Sequence, residues 1–259
     1  MTTKENSGAC PLCEGTGWVL EDVKGRALAR RCKCYFDRRM DNLLNRANIP
    51  KRYQNCSFAN FEIHKDNRSH VDALKLSKKF VSDYPGLNVG LLYIGACGVG
   101  KTHLAVAVIR ELVLKKRVFA MFYDFRDLIR EIQSTFSPDA TLTETGILEP
   151  VFESEVLVLD ELGAKRPSAW VEETVFYIIN HRYNHKKLTI FTSNYLDTAE
   201  EEDTRQPMFK KSEMNKTGDD TLVDRIGYRL RSRIYEMCKV VEMVGDDYRK
   251  EHKQAGYKF

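Results

Sequence analysis

Leu91–Ile109 reads LLYIGACGVGKTHLAVAVI. A short apolar run meets a glycine-rich loop, and a second apolar stretch follows Lys101 and Thr102. An apolar run bounded by glycine suits a buried strand, and the longer stretch after it suits a helix. The loop Gly95-Ala96-Cys97-Gly98-Val99-Gly100-Lys101-Thr102 fits the pattern G-x-x-x-x-G-K-[ST]. Glycines let successive backbone amides turn inward around phosphate oxygens. The lysine neutralises phosphate charge, and the hydroxyl can ligate Mg²⁺. A helix starting at the loop adds the positive end of its dipole. All eight residues are therefore expected to hold a nucleotide.

Working outward, apolar runs alternate with helical patterns. Strands are expected at 89–94, 118–123, 155–159, 188–192 and 239–244. Helices are expected at 101–115, 124–136, 170–183 and 221–235. This alternation predicts an α/β fold, a parallel sheet with helices on both faces. Upstream, 35–48 is expected to be a helix that stops before Pro50. A further helix over 69–83 places Val71, Leu74 and Val81 on one face and ends at Pro85-Gly86. Residues 50–65 read as an irregular linker anchored by Tyr53, Phe58 and Phe61. Residues 1–9 read as disordered and 197–219 as a polar connection.

A nucleotide site of this kind needs a carboxylate for the metal. Glu155-Val-Leu-Val-Leu-Asp160-Glu161 is an apolar strand ending in two acids. Asp160 at the strand tip would hold Mg²⁺ through water, and Glu161 would orient or deprotonate the attacking water. One strand, 118–123, intervenes in sequence between the two motifs. That arrangement, with a glutamate beside the metal aspartate, resembles the additional-strand class of P-loop ATPases. Strand 188–192 runs into Ser193 and Asn194. A polar side chain there would point between the two motif strands, and Asn194 resembles the sensor-1 position of AAA+ ATPases. Four arginines, 225, 229, 231 and 233, then fall within nine residues. Successive helical positions rotate by about 100°, so one helix cannot aim all four at its own nucleotide. Arg229 and Arg233, four apart, share a face.

Cys10-Pro-Leu-Cys13 and Cys32-Lys-Cys34 bracket a glycine-containing segment. Four thiolates so close in sequence suit tetrahedral Zn²⁺, and a segment this short needs the metal to fold. Cys56, Cys97 and Cys238 read as ordinary small residues, His103 as a packing residue, and His181 and His185 as surface. Hydrophobic content of 42% and charged content of 30% describe an ordinary globular protein. No apolar run reaches membrane length, and the first residues lack a secretory signal, so a cytoplasmic protein with no membrane partner is expected. Net charge is +4, but residues 24–52 carry ten Lys/Arg against Asp37 and Asp41. Such a basic segment can meet nucleic acid or an acidic protein surface.

With these residues placed, the chain resembles the DnaC/DnaI-type replicative helicase loaders. The matching text is CPLCEGTGW (10–18), IPKRYQNCSFANFE (49–62), GACGVGKTHLA (95–105), VLVLDELGAKRP (156–167), FTSN (191–194) and SRIYEMCKVVEMVGDDYR (232–249). The P-loop pattern is widely shared; the linker and the C-terminal box are far more specific. The resemblance implies an AAA+ core that binds ATP and single-stranded DNA. It implies an N-terminal module that grips a hexameric replicative DNA helicase, with ATP hydrolysis timing release. It also implies self-association in the ATP state, with Arg233 as a finger for the neighbouring subunit and Arg229 as its companion. The expected organisation is a zinc-binding, helicase-interacting module over 1–48, a linker and leading helix over 49–85, and an ATPase core over 86–259. Only 26 residues follow Arg233, so no C-terminal lid is expected, and hydrolysis should be slow and oligomer-dependent. The alternatives are an IstB-type transposition helper ATPase, which shares the core, and a zinc-dependent nucleic-acid-binding regulator.

Overall fold

The computed structural model describes residues 10–23, 26–63, 67–164, 168–197 and 221–252. The stretches read from sequence as disordered (1–9) and polar (197–219) lie outside these residues, Asp197 excepted. Five strands form one sheet: β3 (Gly90–Ile94), β4 (Ala120–Asp124), β5 (Val156–Asp160), β6 (Leu188–Ser193) and β7 (Cys238–Glu242). Their order is β4-β5-β6-β3-β7, and every pairing is parallel. Strand β6, whose end carries Asn194, thus lies between the two motif strands, where that residue was expected, and the 118–123 strand intervenes only in sequence. That strand, β4, lies on the edge.

Side chains alternate cleanly along the strands. Leu92, Ile94, Leu157, Leu159 and Phe191 face one core cluster; Leu91, Tyr93, Val156, Val158 and Ile190 face the other. This period of two fills both faces of a covered parallel sheet. The first face packs α4 (Phe125–Ser134), α5 (Glu144–Glu153), α6 (Ala169–Asn184), α7 (Leu222–Ile226) and α8 (Tyr228–Met237). The second packs α2 (Arg68–Asp83) and α3 (Lys101–Glu111). Helix α4 shows why the sequence folds this way locally. Phe125, Leu128, Ile129 and Ile132 recur at helical spacing and are all buried. Asp124 caps the helix by accepting the amides of Arg126 (2.8 Å) and Asp127 (3.3 Å), a cap that contributes about 1 kcal/mol.

Three local expectations need correction. The arginine-rich 221–235 segment is two helices, broken at Gly227, whose φ of 76° ends α7. The buried face of α2 is His70, Ala73, Ser77, Phe80 and Val81; Val81 is buried as expected, whereas Val71 and Leu74 are only partly buried. Ser77 can be buried because its hydroxyl meets Ala73 O (2.6 Å) and the Tyr93 hydroxyl (2.6 Å). Helix α3 gives way to a π turn over Leu112–Lys116. Helix α5 follows a Thr143 cap and was not anticipated.

Ahead of the sheet, β1 (Trp18–Val23) and β2 (Arg26–Arg31) form an antiparallel hairpin, followed by α1 (Lys33–Arg46). Met40, Leu43 and Leu44 of α1 pack against the second core cluster. The chain after α1 then runs along edge strand β4. Phe122 N–H donates to Ala47 O (2.8 Å), and the Asn48 side chain donates to Phe122 O (3.2 Å). Among the described residues, no helix is long and apolar enough to cross a membrane.

Arg182 is fully buried on α6. Burial pulls its pKa down to about 9. Its guanidinium donates to Thr189 Oγ1 (3.0 Å), Leu188 O (2.6 Å), Val151 O (2.7 Å) and Ser154 O (3.1 Å). It thereby ties α5, α6 and the start of β6 together without a carboxylate partner among the described residues. Substituting Arg182→Leu leaves these acceptors unpaired in the core. Urea unfolding is expected to show a loss of roughly 3 kcal/mol. Arg182→Lys, which lacks the fork, is expected to recover less than half of it.

Candidate active site and metal centre

The phosphate loop joins β3 to α3. At Gly95, φ is 147°, and an added Cβ would lie 2.0 Å from Met243 O. Gly100 is the residue before the helix, with φ 100°, and a Cβ there would meet the Phe61 ring at 2.7 Å. Only glycine fits either place. Lys101 opens α3 and is 6% exposed. Its ammonium donates to Gly95 O (2.7 Å) and Ala96 O (2.6 Å). Burial pulls its pKa down to about 8, against the pull of nearby Cys97 and Asp160. A phosphate beside it would favour the charged form.

Asp160 ends β5 and is 3% exposed. Thr102 donates to it at 2.9 Å, and Thr192 at 2.6 Å. Burial raises its pKa to about 6; the two hydroxyls oppose the shift, and the charges of Glu161 and Asp124 add to it. Glu161 follows with φ 57°, a backbone state that costs a non-glycine residue about 1 kcal/mol. Thr192 Oγ1 accepts the Glu161 amide at 2.9 Å, and Leu162 N–H donates to Thr192 O at 2.8 Å. Strand β6 thus fixes the turn that carries Glu161. The Glu161 carboxylate is paired with the Arg126 guanidinium.

A cavity of about 730 Å³ opens at this end of the sheet. Lys101, Thr102, Glu161, Thr192 and Asn194 line it together with Arg249. The structure therefore brings the expected P-loop, acid-pair and strand-end residues into one place. The linker supplies another wall through Tyr53, Asn60 and Phe61, a contribution that its irregular sequence did not reveal. The C-terminal segment supplies a third. Tyr248 N–H donates to Gly98 O (3.3 Å), and its hydroxyl donates to Glu62 (2.9 Å). His103 packs edge-on to Phe61 at 5.4 Å and bonds Ser57 O at 2.9 Å. His181 is half-buried rather than surface, stacked between Phe152 and His185 at 4.1 Å from each.

Arg229 and Arg233 do not line this cavity. Both stack on Phe176 of α6, at 4.4 and 4.7 Å. Arg233 Nε also donates to Asn180 (3.0 Å). Arg231 points elsewhere, paired with Asp197, and Arg225 lies over Tyr195. The shared face read from the four-residue spacing is present, and it lies outside the cavity of the chain's own P-loop.

The four N-terminal cysteines converge, with all their Sγ atoms within 4.8 Å of one another. A tight turn brings Glu14 N–H to Cys10 O (2.7 Å), and Gly17 N–H donates to Cys13 Sγ (3.3 Å). The hairpin then returns the chain so that Cys32 N–H donates to Gly17 O (2.9 Å). Arg31 lies between the rings of Trp18 (3.7 Å) and Tyr35 (4.2 Å) and holds this closure. Four sulfurs about 2.3 Å from a zinc ion lie about 3.8 Å from each other. Cys10 and Cys32 are 3.8 Å apart, and Cys13 and Cys34 are 3.3 Å apart. The donor set fits tetrahedral Zn²⁺.

Two measurements follow from this geometry. Freshly purified protein is expected to carry one zinc per chain by metal analysis. Cys13→Ser should lose it and expose the 10–34 segment to protease, and a zinc-free wild type would refute the assignment. The second concerns Asp160. Its folded pKa lies above the unfolded value, so the folded state binds more protons between about pH 4 and 6. Stability therefore falls as pH rises through that window and stays low above it. Asp160→Asn removes the buried charge. It should raise the nucleotide-free melting temperature at pH 7.5, by on the order of 2 kcal/mol in stability, with the gain vanishing towards pH 4. An equal gain at both pH values would refute a titrating Asp160.

Comparison with known proteins follows the same lines. A replicative helicase loader DnaC from Buchnera aphidicola is 30% identical over 156 residues, covering 60% of this chain and 62% of its own length. The chain thus spans about three fifths of that relative. The phage-like element PBSX protein XkdC of Bacillus subtilis is 26% identical over 259 aligned positions, covering 95% and 86%. Among solved structures, a crystal structure of the DnaC helicase loader superposes with TM-score 0.60 at 34% identity, covering 75% of this chain and 99% of the other. The fold is that of an AAA+ core with a parallel five-stranded sheet. Residues 12–256 match the family model as well, and the chain belongs to the IstB-like ATP binding proteins.

Proposed function

We propose that this protein is an ATP-dependent loader of a hexameric replicative DNA helicase. The observation that carries the reading is the convergence of Lys101, Thr102, Glu161 and Asn194 on one cavity, with Asp160 buried behind Thr102, and a four-cysteine module in the same chain. In this reading Lys101 neutralises the phosphates of ATP. Thr102 and Asp160 hold Mg²⁺, which when bound offsets charge on the transferred phosphoryl group. Glu161 takes a proton from the attacking water, and Asn194 orients the terminal phosphate. Arg233, preorganised by Phe176 and Asn180, reaches the ATP of a neighbouring subunit, with Arg229 beside it. Hydrolysis is then slow in isolated subunits and rises on assembly.

The N-terminal module, zinc-bound, grips the helicase, and the core holds single-stranded DNA. The relatives named as helicase loaders support this over a transposition helper, as does the four-cysteine module. The likeness to a phage-like element protein along nearly the whole chain is compatible with a loader carried by a mobile element.

The test is a pull-down of candidate replicative helicases with and without ATP. Wild type should release helicase as ATP is consumed, and Glu161→Gln, which binds ATP but does not hydrolyse it, should retain it. Arg233→Ala mixed with Lys101→Ala should recover ATPase activity that neither has alone. Failure to capture any helicase, together with full activity of Arg233→Ala at every protein concentration, would refute the loader reading.

A further inference from the structure

Two irregular segments, far apart in sequence, wall part of the nucleotide cavity. The linker contributes Asn60, Phe61 and Glu62, and the C-terminal segment contributes Gly245, Tyr248 and Arg249. Both lie against the phosphate loop. The Phe61 ring would stand 2.7 Å from a Cβ on Gly100, and Tyr248 N–H donates to Gly98 O at 3.3 Å. The two segments are also joined to each other, because the Tyr248 hydroxyl donates to the Glu62 carboxylate at 2.9 Å.

The C-terminal segment has a fixed root and a lightly held tip. Met243 is fully buried in the core. Val244 is bonded twice to the start of α2: its carbonyl accepts the Asn67 side chain, and its amide donates to Ser69 Oγ at 3.0 Å. From Gly245 to His252 the sequence is GDDYRKEH. It offers no aliphatic side chain to the core, and Arg249, Lys250 and Glu251 are exposed. Tyr248 is half-buried and bonds both the phosphate loop and the linker. A segment held by a few polar bonds at the surface opens locally at small cost, while its apolar root stays in place.

We propose that the bond between Tyr248 and Glu62 is a latch across the nucleotide cavity: nucleotide enters and leaves when the C-terminal segment lifts from the linker, and these two side chains set the rate of exchange. The latch rests on nucleotide binding at the phosphate loop and is independent of the loader reading. Entry and exit share one open state, so both rates scale with its population. The bond is made with and without nucleotide, so it cancels from the affinity. Gates of this kind limit turnover in many enzymes, where release of product and not chemistry is slow.

The experiment is stopped-flow association and chase of mant-ADP, a fluorescent ADP, with the whole chain as wild type, Tyr248→Phe, Glu62→Ala and the double variant. Tyr248→Phe keeps the ring and removes the donor. Each single variant is expected to raise the association and dissociation rates together by roughly fivefold, the effect of one such hydrogen bond, with Kd unchanged. The double variant should be no faster than either single one, because both remove the same bond. A change in only one of the two rates places the side chain in contact with the nucleotide itself and overturns the latch. Additive effects in the double variant, or unchanged rates with wild-type binding intact, overturn it as well. Should one single variant fail to fold by circular dichroism, the other decides alone. A wild type that binds no mant-ADP overturns the nucleotide site and the latch with it.

Discussion

A buried carboxylate held by two hydroxyls joins the parts of this site. Asp160 receives Thr102 from the start of α3 and Thr192 from the end of β6. Three elements distant in sequence meet at one side chain that is 3% exposed. Burying a charge this way is unfavourable, and the upward shift of its pKa measures that cost. Two directed hydroxyls offset part of it. The same Thr192 hydroxyl accepts the Glu161 amide, so the unusual backbone of Glu161 depends on the same contact. Losing the Thr192 hydroxyl would loosen both acids at once, while the sheet beneath them stayed intact.

Much of this was legible in the sequence because it is local. The P-loop is eight contiguous residues, and Asp160-Glu161 ends an apolar run. The five strands stand close to where alternation of apolar runs placed them. Strand order was less accessible. That β6 lies between β3 and β5 is a long-range fact, reached from the sequence only through the expectation that Asn194, at its end, points between the two motif strands. Thr192 was passed over for Asn194 because a threonine in a strand is ordinary; its hydroxyl matters only once β5 is its neighbour. Arg182 was invisible for a similar reason. An arginine near a helix end reads as solvated, and only packing brings its four carbonyl and hydroxyl acceptors together. Two local signals were missed: Gly227, a glycine inside a helical pattern where the chain breaks, and Thr143, the cap that starts α5.

The basic segment over 24–52 uses some of its guanidiniums for packing and keeps most of its cations exposed. Arg31 is stacked between Trp18 and Tyr35, and Arg46 lies over Phe119 at 4.5 Å. These guanidiniums act as flat, half-apolar packing surfaces. They close the cysteine turn and seat α1 on the core. Arg26 and Arg30, on the hairpin, are exposed. Lys33, Arg38, Arg46, Lys51 and Arg52 are exposed as well, so the charge open to a partner runs from the hairpin along α1 to the turn after it.

That seating has a consequence for how the two ends of the chain can be connected. Ala47 and Asn48, directly after α1, are hydrogen-bonded to Phe122 in β4. Two residues further along the same strand is Asp124, which caps the helix carrying Arg126. A displacement of α1 is thus passed to an edge strand bonded on its other side to β5 alone, the strand that ends in Asp160. An unbroken path of contacts is not by itself coupling; energy is transmitted only if some element on it has two states that both ends bias. On this path, the contact most easily exchanged is the exposed pair of Arg126 and Glu161. Hydrogen bonds and apolar packing hold the other contacts along it, and a pair worth so little can change partners at small cost. A pull on the N-terminal module would therefore be felt first at that pair.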